Sequence, residues 1–148
     1  MQYESIAAVD LGSNSFRLEV GRVVDDQIYT LDSLKDAVRL ASGLQADKSL
    51  DQASQDRALV ALSRFGERLR GLPKDAVRAV ATNALRVAKN ANSFLAQAEA
   101  ALGFPIEIIA GREEARLIYL GVSHLLPQSD ERRLVVDIGG RSTEMILG

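Results

Sequence analysis

The chain has 148 residues, 47% of them hydrophobic and 26% charged, with a formal net charge of −2 and no cysteine. That composition suits one globular domain with a sizeable core and excludes a disulfide framework or a thiolate site. The balance of 18 basic against 20 acidic residues argues against a nucleic-acid surface, which needs a basic excess, and no apolar run approaches the length of a membrane span.

The N-terminus, Met1-Gln-Tyr-Glu-Ser5, lacks the basic-then-apolar pattern of a secretory signal, which makes the cytoplasm the expected compartment. Residues 5–10 form an apolar run that predicts a buried strand. Phe16 to Val24 alternates imperfectly and predicts a second strand, and Gln27 to Leu34 a third after the Asp25-Asp26 turn signal. Three strands joined by short turns predict an antiparallel meander. Residues 35–48 carry no clear period, and Ser42-Gly43 suggests a loop. Ser49-Leu-Asp-Gln52 has capping-box spacing, and Leu59, Leu62, Phe65 and Leu69 then recur at helical spacing until Gly71 and Pro73 stop the helix.

A short apolar strand follows over Ala76–Thr82, and Asn83-Ala-Leu-Arg86 opens the next segment. Asn92 or Ser93 is the expected cap of a helix running to Leu102, which Gly103 and Pro105 end. Ile106 to Ile109 predicts another strand. Gly111 leads into a helix ending near Leu125, with His124 as a residue of its end, and Gln128 to Arg132 is a charged loop. Strand–helix–strand crossovers imply parallel pairing, so the expected sheet is mixed, α/β in class.

Two stretches carry the chemistry. Near the start, Asp10-Leu-Gly12-Ser13-Asn14-Ser15-Phe-Arg17 leaves one apolar strand and enters another; near the end, Asp137-Ile-Gly139-Gly140-Arg141-Ser142-Thr-Glu144 does the same. Glycine lets the backbone approach an anion, successive N–H groups then point at its oxygens, and Ser and Asn add donors. An Asp closing the strand beside a phosphate repels it directly, so it more plausibly holds a hard cation such as Mg2+ that bridges to the phosphate. Taken singly, each turn reads equally well as an ordinary hairpin. The pair reads as a duplicated phosphate-gripping device.

Glu113 and Glu114 open the last helix about 100° apart on its wheel. Leu117, Ile118, Leu120, Gly121 and Leu125 define its apolar face, with Glu114 near the middle of it and Glu113 at the edge. A carboxylate on an inward face must border a cavity or meet a partner, so Glu114 is the candidate general base; the alternative is a first-turn acid favoured by the helix dipole. Arg17 and Arg86 sit near strand ends, where guanidinium forks suit phosphate oxygens. Arg112 and Arg116 read as solvated surface residues.

These blocks, with Ala81-Thr-Asn-Ala-Leu-Arg86 and Gly111-Arg-Glu-Glu114-Ala-Arg-Leu-Ile-Tyr-Leu-Gly-Val, resemble the exopolyphosphatase/guanosine pentaphosphate phosphatase (Ppx/GppA) family, in the family's order and across the whole chain. The resemblance implies a ribonuclease-H-like lobe of the actin, Hsp70 and sugar-kinase superfamily, here residues 1–126, followed at 127–148 by the first hairpin of a second lobe. It implies release of terminal phosphate from inorganic polyphosphate, or of the 5′ γ-phosphate of guanosine pentaphosphate, with no nucleic-acid partner. It assigns the base to Glu114 and Mg2+ to Asp137, with Asp10 and Glu144 nearby. Phosphate contacts fall to Gly12, Ser13, Asn14, Ser15, Arg17, Arg86, Gly139, Gly140, Arg141 and Ser142.

Two features depart from the family. A third glycine usually stands where this chain has Arg141, and members are much longer chains. The expectation is therefore a fragment with little activity alone, whose hairpin pairs with another copy to give a homodimer. Two competing classes remain: a phosphate- or nucleotide-binding regulatory module without chemistry, and a sugar or acetate kinase of the same superfamily.

Overall fold

In the computed structural model, which describes residues 4–148, the chain opens with β1 (Ser5–Leu11), β2 (Phe16–Val24) and β3 (Gln27–Asp36). Successive strands pair antiparallel. Asp25 and Asp26 both take positive φ, 50° and 61°, the twist that joins two right-handed strands through two residues. A 3-10 turn, Leu40–Gly43, and α1 (Gln52–Leu69) then cross over to β4 (Val77–Ala81). Helices α2 (Asn83–Val87) and α3 (Ala91–Leu102) cross again to β5 (Ile106–Ile108). The sheet order is β3-β2-β1-β4-β5, antiparallel on one side of β1 and parallel on the other. After α4 (Gly111–Leu125), β6 (Leu134–Ile138) and β7 (Thr143–Leu147) form a separate two-stranded sheet.

Period-2 alternation decides which sheet face is covered. Val9 and Leu11 of β1, and Phe16 and Leu18 of β2, point to one side, where they are buried with Leu62 and Phe65 of α1 and Phe94 and Leu102 of α3. Each such side chain contributes about 1.5–3 kcal/mol of burial. The intervening residues Ala8, Asp10, Arg17, Glu19 and Arg78 lie exposed on the other side, so the polar residues flanking the first turn project from the open face.

Several boundaries differ from the sequence reading. Helix α1 is capped by Asp51, whose carboxylate accepts from the Ser54 N–H at 2.8 Å, and not by Ser49; the Ser49 hydroxyl is held by Gln45 and Asp47 in the preceding turn. Helix α3 begins at Ala91, ahead of Asn92 and Ser93, and Asn90 spends its side chain on the backbone of Leu50. Ser49 is drawn off by its own preceding turn, and Asn90, which does stand at the start of α3, is drawn off by backbone forty residues away. Strand β3 runs two residues beyond Leu34, paired as far as Asp36 with Phe16. The α4 face expected to be buried is not: Leu120 and Leu125 are exposed and no residue of the helix is fully buried, because that helix packs on the small hairpin instead of the main core.

Candidate functional site

The two glycine turns share a geometry. Asp10 stands opposite Arg17 and Asp137 opposite Glu144. In each turn the N–H of the first glycine donates to the carbonyl three residues on: Gly12 to Ser15 at 3.1 Å and Gly139 to Ser142 at 2.8 Å. A Cβ at Gly12 would come within 2.8 Å of the Ser15 oxygen, and one at Gly139 within 3.1 Å of the Ser142 oxygen, so both closures favour glycine. The turns also touch: a Cβ at Gly140 would lie 3.2 Å from the Asn14 Cβ. Bends 127 positions apart in sequence (139 − 12) therefore face each other.

Beside the second turn stand three carboxylates. Glu114 from the first turn of α4, Asp137 from β6 and Glu144 from β7 place carboxylate oxygens within 4.8 Å of one another. The cross-strand register puts Asp137 and Glu144 on the same hairpin face as the inward-facing Val135, and α4 lies against that face. Glu144 is only 9% exposed, and its Oε2 is buried with no hydrogen-bond partner. A buried, unpaired carboxylate oxygen calls for a cation. An all-oxygen carboxylate set suits hard divalent ions such as Mg2+, so these residues fit the metal that the sequence pointed to, with Glu114 as an unexpected third member.

Arg86 sets Glu114 in place. Its Nη1 donates to the Glu114 Oε2 at 2.9 Å and to the Ile109 carbonyl at 2.8 Å, with side-chain exposures of 21% and 14% across the ion pair. The short α2 thus clips the end of β5 to the start of α4. Arg86, expected at a phosphate, is here the partner of the candidate base. Glu113 takes the opposite fate: Arg116 binds it in a fork at 2.7 and 2.9 Å, and that guanidinium holds its carboxyl below the usual range.

Asp10 lies outside the tight carboxylate group but within its field. It keeps an exposed surface, yet surrounding atoms strip part of its hydration. That desolvation comes first; repulsion from Glu114 and Asp137 adds to it, and Arg17 only partly offsets both, so its carboxyl is raised above the usual range. Arg17 itself is exposed on the open sheet face, one strand from Asp10. His124 is an exposed residue in the last turn of α4, and Arg112 is exposed as expected. Arg39 also stands beside the first turn, and the sequence reading did not single it out. It follows β3 in the left-handed region, φ 54° and ψ 49°, and its backbone N–H donates to the Asn14 carbonyl at 2.8 Å. Its stretch carries no period and no motif, so nothing in the sequence marks it.

A mixed sheet in this order, with helices packed on one face and a second hairpin returning a matching turn to the first, defines the actin-like ATPase, ribonuclease-H-like fold. The sequence profile of the Ppx/GppA phosphatase family matches residues 19–148. The chain is 35% identical to an exopolyphosphatase-like protein of known structure, with a TM-score of 0.86 over 99% of this chain and 46% of that one. It is 33% identical to an exopolyphosphatase from Cytophaga hutchinsonii, with a TM-score of 0.89 over 97% of this chain and 46% of that one. It is 30% identical to the PPX-GPPA enzyme of Aquifex aeolicus, with a TM-score of 0.86 over 97% and 48%. The chain belongs to the Ppx/GppA phosphatase family, and it spans just under half the length of these relatives.

Proposed function

We propose that this chain supplies one wall of a phosphoanhydride hydrolase that releases terminal orthophosphate from inorganic polyphosphate. The observation that supports it most is the placement of three carboxylates, within 4.8 Å of one another, beside two touching glycine turns. Backbone N–H groups and the hydroxyls of Ser13, Ser15 and Ser142 would bind phosphate oxygens. Asp137 and Glu144 of the small hairpin, with Asp10 from β1 of the main sheet, would hold Mg2+. When bound, that ion would neutralise charge on the transferred phosphoryl group. Glu114, oriented by Arg86, would accept the proton of the attacking water through its free carboxylate oxygen. Family membership supports the phosphatase class. Similarity to the Cytophaga exopolyphosphatase supports polyphosphate over guanosine pentaphosphate as first choice.

The test is phosphate release from polyphosphate and from guanosine pentaphosphate, with and without Mg2+, by this chain and by a protein that adds the remaining half. We expect the longer protein to turn over polyphosphate only with Mg2+. We expect this chain alone to be slower by about 10²-fold or more, as an incomplete site misplaces its groups. Glu114→Gln should remove turnover and spare polyphosphate binding. Full turnover by that variant would sink the base assignment, and loss of binding with it would favour a regulatory module whose carboxylate serves ligand affinity.

A further inference from the structure

Arg39 and Arg141 line one cavity of about 210 Å3, together with Ser13, Asn14, Ser42 and Gly140. It sits on the seam between the two glycine turns. The segment after β3 is stapled to the first turn, since Arg39 N–H donates to the Asn14 carbonyl and Ala41 N–H to that of Ser13 at 2.9 Å. Arg141 reaches over from the second turn, and its Nη2 donates to the Ala41 carbonyl at 3.2 Å. Among the described residues, six of the fourteen arginines meet a carboxylate and eight do not. Arg39 and Arg141, both exposed, belong to the second group, and what sets them apart is that they share one cavity. Two cations brought to one small cavity without a counter-charge repel each other unless an anion joins them. The rest of the lining offers hydroxyl and amide groups. A non-glycine residue in the left-handed region, as Arg39 is, costs strain that concentrates where function needs it.

We propose that Arg39 and Arg141 form a second phosphate subsite, which takes the next phosphate of a chain whose end lies in the turns. This rests on the phosphate-turn reading above. The subsite makes the protein select linear polyphosphates over single phosphates. Arg141 has two tasks there: its bond to the Ala41 carbonyl ties the turns together, and its remaining N–H groups face the anion.

Calorimetric titration of the 148-residue chain in metal-free buffer, with tripolyphosphate and with orthophosphate, tests it without any hydrolysis. Arg39→Gln and Arg141→Gln should each weaken tripolyphosphate binding about tenfold, or about 1.4 kcal/mol, and leave orthophosphate binding unchanged. Gln at 141 is too short to keep the bond to the Ala41 carbonyl; loss of a purely structural latch would weaken binding of both ligands alike, which the orthophosphate titration reads. Where melting shows that a variant is unfolded, Arg39→Gly, which suits the positive φ, and Arg141→Gly replace it with the same expectation. Equal losses for both ligands, unchanged tripolyphosphate affinity, or no tripolyphosphate binding by the unmodified chain would each overturn the subsite. Turnover of the longer protein through Glu114 would stand regardless, so the two readings fail separately.

Discussion

Adjacent glutamates show how one residue of rotation decides chemistry. Glu113 and Glu114 share the first turn of α4, yet Glu113 is held in a surface fork by Arg116 while Glu114 turns toward Asp137, Glu144 and Arg86. Removing Arg86 leaves a largely buried carboxylate without its counter-charge. Arg86→Ala should destabilise the chain by roughly 1–3 kcal/mol in urea unfolding, below the cost for a fully buried pair because both side chains keep some solvent. The orphaned Oε2 of Glu144 makes a second residue-scale expectation: Glu144→Gln should weaken Mn2+ binding, read by electron paramagnetic resonance, at least about tenfold, since it removes a charged ligand of a hard cation. Asp10 gives a pH dependence. Its folded carboxyl is raised, so the folded state binds the proton more tightly than the unfolded chain does. The stability it contributes is present below the ordinary carboxylate range and is lost as pH rises through the folded value. Asp10→Asn should therefore raise the melting temperature at pH 7 in metal-free buffer, with the gain vanishing at acid pH. A gain that persists below pH 4 would contradict the assignment.

At the scale of elements, α1 and α3 hold the sheet in shape by an unusually close crossing. A Cβ at Gly66 would lie 2.6 Å from the Leu102 carbonyl oxygen and 3.0 Å from that of Ala101. Backbone cannot yield as a flexible side chain can, so Gly66→Ala should cost about 1–3 kcal/mol in chemical denaturation despite the better helix propensity of alanine. Leu62→Ala, in the same layer, should cost about 2–5 kcal/mol by leaving a cavity. The short α2 matters for a different reason. Five residues make a poor helix alone, and its position is fixed by Arg86 bonding to Ile109 and Glu114.

Across the whole molecule, the hairpin is the exposed part. Its inner face carries Val135, Asp137, Glu144 and Ile146 toward α4, while Leu134, Val136, Ile138, Met145 and Leu147 form an outer face with exposures from 48% at Val136 to 80% at Ile138. Leu120 and Leu125 of α4 are exposed as well, on a separate element. A contiguous apolar face of this kind marks a contact surface or an association hazard. The 148-residue chain should self-associate in sedimentation velocity runs as concentration rises. Val136→Lys with Met145→Glu, a directly opposed cross-strand pair, should suppress that association without lowering helical content. No helix among the described residues is long and apolar enough to cross a membrane.

Local pattern sufficed for much of this. The meander, the two crossovers, α4 and both Asp–Gly turns follow from periodicity and from glycine's freedom, because those signals act over a few neighbouring residues; which face α4 would bury did not follow, since packing decides it. The equivalence of the turns was legible for the same reason, since it is a repeat of residue types at one spacing. Caps were less legible: Asp51 and Asn90 are decided by which loop groups lie within reach, and that is a property of the folded chain. Arg39 was invisible, because only the stapling of residues 39–41 to the first turn brings it beside Arg141. The carboxylate group lies between the two cases. Each member stood out in sequence, but their convergence needs α4 laid on the hairpin, and charges meet through space, whatever their separation along the chain.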